Sequence, residues 1–224
     1  DGHFLRERLL ALAAYTALFN VNANLFVRTL GLLFAMAFFT AQGARQGDTV
    51  LAANAVLLQF IMLTSYALDG FAHAAESLIG RAYGRQDWQE FAATVRAAAR
   101  FSLWTAGAAA LLFALGGNAL IALLTGLEEV RATAAQYLPW MVVMPLIAVW
   151  SYLLDGVFIG TTAVREMRNS IFIGLAAYLP IWWLTQGLGN HGLWLAFMLF
   201  TLVRSAVLIA YYYFHYHRPY RLNH

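Results

Sequence analysis

Two hexapeptides of nearly the same sequence each place an aspartate in an apolar segment that is long enough to cross a bilayer. They are residues 65–70, which read SYALDG, and residues 151–156, which read SYLLDG. A charge at bilayer depth costs roughly 2.5–3.5 kcal/mol on insertion scales, so carboxylates in such segments usually have a function. Asp69 and Asp155 are therefore predicted to belong to a site for ions or charged solutes, which favours a transporter.

The composition indicates a membrane protein. Of the 224 residues, 62% are hydrophobic and 11% are charged, whereas a soluble domain carries about 25% charged residues. Cysteine is absent, which excludes disulfide bonds and cysteine-ligated metals. All fourteen basic residues are arginines that lie between apolar segments without forming a patch, so nucleic acid is not predicted as a partner.

Six apolar segments have the length of roughly 20 residues that a helix needs to cross the hydrocarbon core. They lie at residues 10–40, 50–80, 101–124, 134–163, 169–187 and 191–214. The sequence therefore predicts an all-α, polytopic membrane protein built as a six-transmembrane-helix bundle. The chain does not begin with methionine and its first span starts almost at once, so we interpret it as a piece of a longer polypeptide.

The arginines are distributed unequally between the two ends of the spans. One side has ten of them: Arg6, Arg8, Arg81, Arg85, Arg96, Arg100, Arg165, Arg168, Arg218 and Arg221. The other side has only Arg45 and Arg131. Because cytoplasmic loops are enriched in basic residues, both ends of the chain are predicted to face the cytoplasm. Residues 88–100 are predicted to form an amphipathic cytoplasmic lead into the third span.

Polar residues recur at helical spacing in three of the spans, which predicts a polar face on each helix. These residues are Asn20, Asn24 and Arg28 in span one, Ser65, Asp69, His73 and Glu76 in span two, and Ser151, Asp155 and Thr162 in span four. Asn54 falls near the face of Asp69, towards the outer end. Lipid does not accommodate such faces, so we expect them to line the bundle interior or a water-filled cavity.

The two aspartates are predicted to lie at similar depth. Asp69 precedes Arg81 by twelve residues and Asp155 precedes Arg165 by ten. At a rise of 1.5 Å per residue, both lie on the order of 15–18 Å from the cytoplasmic end, near the midplane. Glu76 lies closer to the cytoplasm, where it could pair with Arg81 or Arg85.

Each of these residues could also stabilise the bundle without binding an ion or a substrate. The acids could neutralise Arg28 and Arg204 as ion pairs, and His73 could be a hydrogen-bonded core residue instead of a proton relay. Gly70 and Gly156 could allow close helix packing or act as hinges.

Motifs of other function classes are absent from the sequence. It has no phosphate-binding glycine loop, no His-Glu-x-x-His and no Gly-x-Ser-x-Gly. The chain is therefore predicted not to be an enzyme and to need no cofactor. Energy for transport would come from an ion gradient, with H⁺ or Na⁺ as the coupling ion.

Several segments resemble the DinF-like branch of the MATE multidrug and toxic compound extrusion transporters. They are residues 38–45 (FFTAQGAR), 51–58 (LAANAVLL), 67–72 (ALDGFA), 75–80 (AESLIG) and 154–160 (LDGVFIG). The resemblance implies twelve helices in two six-helix lobes around a central cavity. Residues 1–224 would form the C-terminal lobe and pack against the N-terminal lobe, in the inner membrane of a bacterium. The implied activity is efflux of cationic or amphipathic compounds driven by uptake of H⁺ or Na⁺.

The resemblance also implies roles for two residues. Asp155 lies where the tenth helix of the family carries its cation-site aspartate. NorM-like relatives pair that aspartate with a glutamate of helix seven, where this chain has Arg28. In the DinF-like branch, proton coupling is attributed to an aspartate of the first helix, outside this chain.

We therefore predict that Asp155, Asp69, Arg28 and Asn54 form a charge network that lines the cavity, with Asp155 the first candidate to contact ion or substrate. The other candidates for ion or substrate binding are Glu76 and two aromatic wall residues, Tyr66 and Tyr152.

Two alternative functions stay open. A lipid-linked precursor flippase of the same superfamily would need a cavity richer in cations, to bind pyrophosphate. A membrane scaffold or channel subunit that does not transport would tolerate neutral replacements of both aspartates.

Overall fold

Six long α-helices make up almost all of the computed structural model, which describes residues 12–217. They are α1 (Leu12–Ala44), α2 (Asp48–Gly84), α3 (Trp88–Leu124), α4 (Glu128–Gly160), α5 (Val164–Leu184) and α6 (Asn190–Tyr212). A 3₁₀ turn at Gln186–Leu188 precedes α6, and a π-helical turn at Tyr213–His217 follows it. The described residues contain no strand, so the all-α prediction is confirmed.

Five of the helices are long and apolar enough to cross a membrane. These segments are Leu18–Ala44, Asp48–Gly84, Trp88–Leu124, Glu128–Gly160 and Asn190–Tyr216. Helix α5 occupies the predicted fifth span, but it has only 21 residues and its first turns carry Arg165, Glu166 and Arg168. It packs against α1 and α6 as a member of the same bundle.

The predicted bounds of the fourth and fifth spans leave residues 164–168 between them, but these residues belong to α5. Helix α4 ends earlier, at a turn in which Thr162 has a φ of 59°. The N–H of Ala163 donates to the carbonyl of Phe158 at 2.8 Å, and that of Thr162 to the carbonyl of Ile159 at 3.0 Å. This is the Schellman pattern of helix termination. Thr162 therefore lies beyond α4 and not on its polar face.

Helix α2 ends in the same way. Gln86 has a φ of 57°, and the N–H of Asp87 donates to the carbonyl of Ala82 at 2.9 Å. The Asp87 side chain then caps α3 by accepting from the N–H of Glu90 at 2.9 Å. From Trp88 the helix continues without a break to Leu124, so the predicted cytoplasmic lead and the third span are one helix.

Helices α2 and α4 approach each other until their backbones touch. A Cβ at Gly156 would lie 2.8 Å from the carbonyl oxygen of Ala72, and one at Gly160 would lie 2.7 Å from that of Glu76. Glycines four residues apart on one helix allow this approach between membrane helices. The contact fixes Asp155, the neighbour of Gly156, beside the helix that carries Asp69.

Gly70, the counterpart of Gly156 in the other hexapeptide, has no such role. A Cβ built at Gly70 meets nothing within 4 Å. The close-packing interpretation therefore holds for Gly156 and does not hold for Gly70.

This difference gives a matched pair of substitutions. We expect Gly156→Ala to destabilise the full-length protein by about 1–3 kcal/mol, because the added methyl forces α2 and α4 apart. Gly70→Ala should leave stability unchanged or raise it slightly, because alanine favours a helix over glycine by roughly 0.5–1 kcal/mol. Thermal unfolding in detergent measures both. Equal melting temperatures for the two variants would contradict the assigned packing.

Candidate ion and substrate site

A polar cavity of about 360 Å³ lies between α1, α2, α4 and α6. Its lining residues are Arg28, Leu32, Ser65, Asp69, Ala72, His73, Glu76, Tyr152, Asp155, Gly156, Ile159 and Arg204. Five of them carry ionisable carboxylate or guanidinium groups, although the surrounding helices are apolar. The cavity therefore collects most of the charge that the sequence places inside the spans.

Asp155 is bound by two arginines in one wall of this cavity. Its Oδ2 accepts hydrogen bonds from Nη2 of Arg28 on α1 and from Nη2 of Arg204 on α6. Asp155 and Arg204 are only 7% and 6% exposed. Charge-assisted hydrogen bonds of this kind are the strong ones in a protein interior. The triad joins three helices through a single carboxylate oxygen.

The triad is not fully satisfied by protein groups. Asp155 Oδ1, Arg28 Nε and Arg204 Nε are buried and have no hydrogen-bond partner among the described residues. Buried polar atoms are nearly always paired, so three unpaired atoms in one cluster are unusual. The triad also carries two positive charges against one negative charge, so it attracts a further negative group.

Asp69 has a different environment from its counterpart in the other hexapeptide. It lines the same cavity and is partly buried, yet it makes no hydrogen bond or ion pair with any residue from 12 to 217. Both of its carboxylate oxygens are free to bind a proton or a cation. The ion-pair interpretation that the sequence left open therefore applies to Asp155 and not to Asp69.

The serines and one tyrosine of the hexapeptides join helices beside the cavity. Ser65 Oγ on α2 shares a hydrogen bond with the hydroxyl of Tyr152 on α4. Ser151 Oγ on α4 shares one with Ser205 Oγ on α6 at 2.6 Å. These bonds place Tyr152 in the cavity wall. Tyr66, in contrast, is 70% exposed and lines an apolar groove between α2 and α3.

Glu76 lies at one edge of the cavity. Its Oε2 is 3.3 Å from Nδ1 of His73, one turn earlier on α2. It makes no ion pair with Arg81 or Arg85 in the described range, and Arg85 binds Glu90. His73 and Glu76 therefore form a partly exposed pair near Asp69.

Asn54 lies away from the cavity, in a separate buried cluster. Its side-chain amide exchanges two hydrogen bonds of 2.8 Å with the amide of Asn190. Its Oδ1 also accepts from Nε1 of Trp194 at 3.0 Å. The cluster joins α2 to α6, so the structure gives Asn54 a packing role and does not bring it into contact with the charged residues.

The polar face predicted on α1 reaches the cavity at one residue. Arg28 is in the wall, whereas the side-chain amide of Asn24 donates to the carbonyl of Asn20 at 2.6 Å, within the helix. Arg204 also lines the cavity, although the sequence analysis named it only as a possible ion-pair partner of the acids and not as a binding candidate. The sequence feature that indicates a role for Arg204 is that it is a single arginine in the apolar segment 191–214, directly before Ser205.

Comparison with known proteins agrees with this arrangement of helices. Residues 39–184, more than half of the chain, match the MatE family. The chain belongs to the MatE family. Escherichia coli DNA damage-inducible protein F is 42% identical over 200 residues, which cover 88% of this chain and 43% of that protein. The MatE family is a family of transporters. The resemblance to MATE transporters that the sequence showed is therefore confirmed.

Two further comparisons extend the relationship. Protein DETOXIFICATION 42 of Arabidopsis thaliana is 24% identical over 82% of this chain and 36% of its own length. The crystal structure of the Vibrio cholerae MATE transporter VcmN in the bent form superposes with a TM-score of 0.81. It has 22% identity and covers 91% of this chain and 47% of that one. This MatE chain therefore spans less than half the length of the relatives that it matches.

The different environments of the two cavity aspartates can be tested by stability. We expect Asp155→Asn to destabilise the full-length MatE protein by about 3–5 kcal/mol, because it leaves the buried guanidinium of Arg204 and the partly buried one of Arg28 without a countercharge. Asp69→Asn should not lower stability, since it breaks no hydrogen bond or ion pair of the described residues and removes a charge from the membrane interior. Thermal unfolding in detergent measures both.

A triple variant is the control for this comparison. Replacing the triad by Arg28→Met, Asp155→Leu and Arg204→Met removes all three charges together, so it should be more stable than Asp155→Asn alone. If Asp155→Asn unfolds at the temperature of the unmodified protein, the triad does not hold the helices together.

Proposed function

We propose that this chain is the second six-helix lobe of a secondary multidrug antiporter, which exchanges H⁺ or Na⁺ for cationic or amphipathic compounds by alternating access. The observation that supports this most directly is the free carboxylate of Asp69 in a polar cavity of a transporter-family bundle. An intramembrane carboxylate without a partner is energetically costly, so it is retained where it binds something.

Asp69 replaces Asp155 as the first candidate for ion exchange. A cation at Asp155 would have to approach two guanidinium groups that are always charged and already bound to that carboxylate. A proton or cation at Asp69 breaks no existing bond. Asp155 then serves to position Arg28 and Arg204, and Asp69 is the group that takes up and releases its ligand.

The charges of the cavity support exchange of one cation for another. The lining residues include two arginines and three acids, so the fully ionised cavity has an excess of one negative charge when His73 is neutral. One proton, one Na⁺ or one organic cation neutralises that excess. Two cations that compete for the same charge bind in turn, which is the requirement for antiport.

The triad offers a means of coupling this exchange to movement. Arg28 is the contact through which α1 reaches Asp155, and α1 packs mainly against α5. A change of charge at Asp69 alters the field that holds Arg28, so binding at the cavity can shift α1 relative to α4. We assign the opposing wall of the transport pathway to the N-terminal lobe of the same protein.

The arginine distribution supports an orientation with both ends in the cytoplasm of a bacterial inner membrane. The turns after α2 and α4 lie on the side that carries Arg81, Arg85 and Arg165. A flippase for lipid-linked pyrophosphate has less support, because both arginines of the cavity already bind Asp155 and the three acids of the lining give the cavity an excess of one negative charge, which disfavours a phosphate.

Transport by the full-length protein in proteoliposomes tests this function. We expect efflux of a fluorescent organic cation when a pH gradient or a Na⁺ gradient is imposed, and no efflux without one. Asp69→Asn should reduce the initial rate at least about tenfold, because the exchangeable charge is lost. Asp69→Glu, which keeps the carboxylate, should retain part of the rate. Asp48→Asn, an exposed acid at the start of α2, is the matched control.

The same assay separates the alternatives. Imposing the pH and Na⁺ gradients one at a time identifies the coupling ion. If Asp69→Asn and Asp155→Asn both leave gradient-driven efflux unchanged, the mechanism is wrong and a scaffold or channel subunit is favoured. If folded Asp155→Asn protein loses efflux while Asp69→Asn retains it, ion exchange belongs to Asp155.

A further inference from the structure

We propose that the outer face of α3 holds an anionic phospholipid, with its phosphate at Arg96 and Arg100 and one acyl chain along a groove over Gly107. The groove has a volume of about 580 Å³. It is lined by Arg100, Leu103, Trp104, Gly107, Ala108 and Leu111. This site is separate from the polar cavity and does not depend on the proposed transport function.

The lining residues form one strip along a single helix. Their positions are three or four residues apart, and such positions share a helix face. Gly107 and Ala108 form the floor, and a Cβ built at Gly107 meets nothing within 4 Å. By helical geometry Leu103 and Trp104 lie on either side of the line from Arg100 to Gly107, where they are 41% and 79% exposed, and Leu111 lies at the far end. The strip is thus an open apolar channel with an arginine at one end.

The arginine lies where a headgroup would be. Residues 101–124, the rest of α3 after Arg100, contain no charged residue and span about 36 Å at 1.5 Å per residue. That length matches a hydrocarbon core of about 30 Å crossed with some tilt. Arg100 therefore marks the boundary of the membrane, with Trp104 one turn inside, where interfacial tryptophans occur.

The length of the channel fits one leaflet. From Arg100 to Leu111 the helix rises by about 16 Å, which is half the thickness of the hydrocarbon core. A single acyl chain that starts at a phosphate beside Arg100 can therefore run along the channel to its end. Helix α3 packs against α2 and α4, which leaves this face towards the surrounding bilayer.

The charge at the polar end favours an anionic lipid. Arg96 and Arg100 are exposed and one turn apart, and neither makes an ion pair or hydrogen bond with another residue of the described range. Arg28, Arg85 and Arg204, in contrast, are bound to acids. Guanidinium groups bind phosphate oxygens in a bidentate manner. Two free ones beside an acyl channel complement a headgroup with net negative charge.

Photocrosslinking of the full-length protein tests this site. The protein is reconstituted in vesicles that contain a trace of phosphatidylglycerol or phosphatidylcholine with a photoreactive acyl chain, and labelled peptides are identified by mass spectrometry. We expect residues 103–111 to be labelled more strongly by phosphatidylglycerol than by phosphatidylcholine. Arg96→Gln and Arg100→Gln should each lower that preference about fivefold.

A second pair of variants tests the channel. Gly107→Leu fills the floor without a clash, so it should suppress labelling of this segment by both lipids. Ala119→Leu, on an exposed part of α3 beyond the channel, should leave labelling unchanged. Equal labelling by the two lipids would overturn the preference for an anionic headgroup. Labelling that survives Gly107→Leu would overturn the channel, and no labelling of residues 103–111 in the unmodified protein would overturn the site.

Discussion

The bundle depends on the contact between one buried carboxylate and two arginines. Asp155 on α4 binds Arg28 on α1 and Arg204 on α6, so helices that are far apart in the chain meet at one oxygen atom. Charges at this depth are stable only together, because each one alone would lose its hydration without compensation. The triad therefore fixes where α1 and α6 stand relative to α4, and it forms one wall of the polar cavity.

Close packing of backbones joins α2, which carries Asp69, to α4. Gly156 and Gly160 let α4 approach α2 until a side chain would not fit between them. This approach brings Asp69 into the cavity that the triad borders, without giving it a partner. The Arg28–Asp155–Arg204 triad and the unpaired carboxylate of Asp69 then line the same cavity. Such an arrangement can bind and release a cation while the helices around it stay connected.

The two hexapeptides show how tertiary contacts separate residues of equal local sequence. Each has serine, tyrosine, aspartate and glycine at the same positions, yet one glycine is a packing contact and the other faces open space. Their tyrosines also differ, since Tyr152 lies in the cavity wall and Tyr66 is exposed on another face. The repeat in the sequence therefore marks the cavity but does not assign equal roles to its members.

The sequence by itself determined the membrane class, the six helices and the family, because apolar length and short motifs are local properties of the chain. It also named Asp69, Asp155 and Arg28 as charges of one cavity, since helical spacing places them on polar faces, but it added Asn54 to that network, which the structure places elsewhere. Only the tertiary structure decided that Asn54 pairs with Asn190, that Arg204 binds Asp155 and that α4 ends at Gly160, before Thr162. The two side-chain pairings depend on residues of helices that are distant in the sequence. The end of α4 depends on a backbone conformation that no residue type imposes. Spacing along one helix predicts neither.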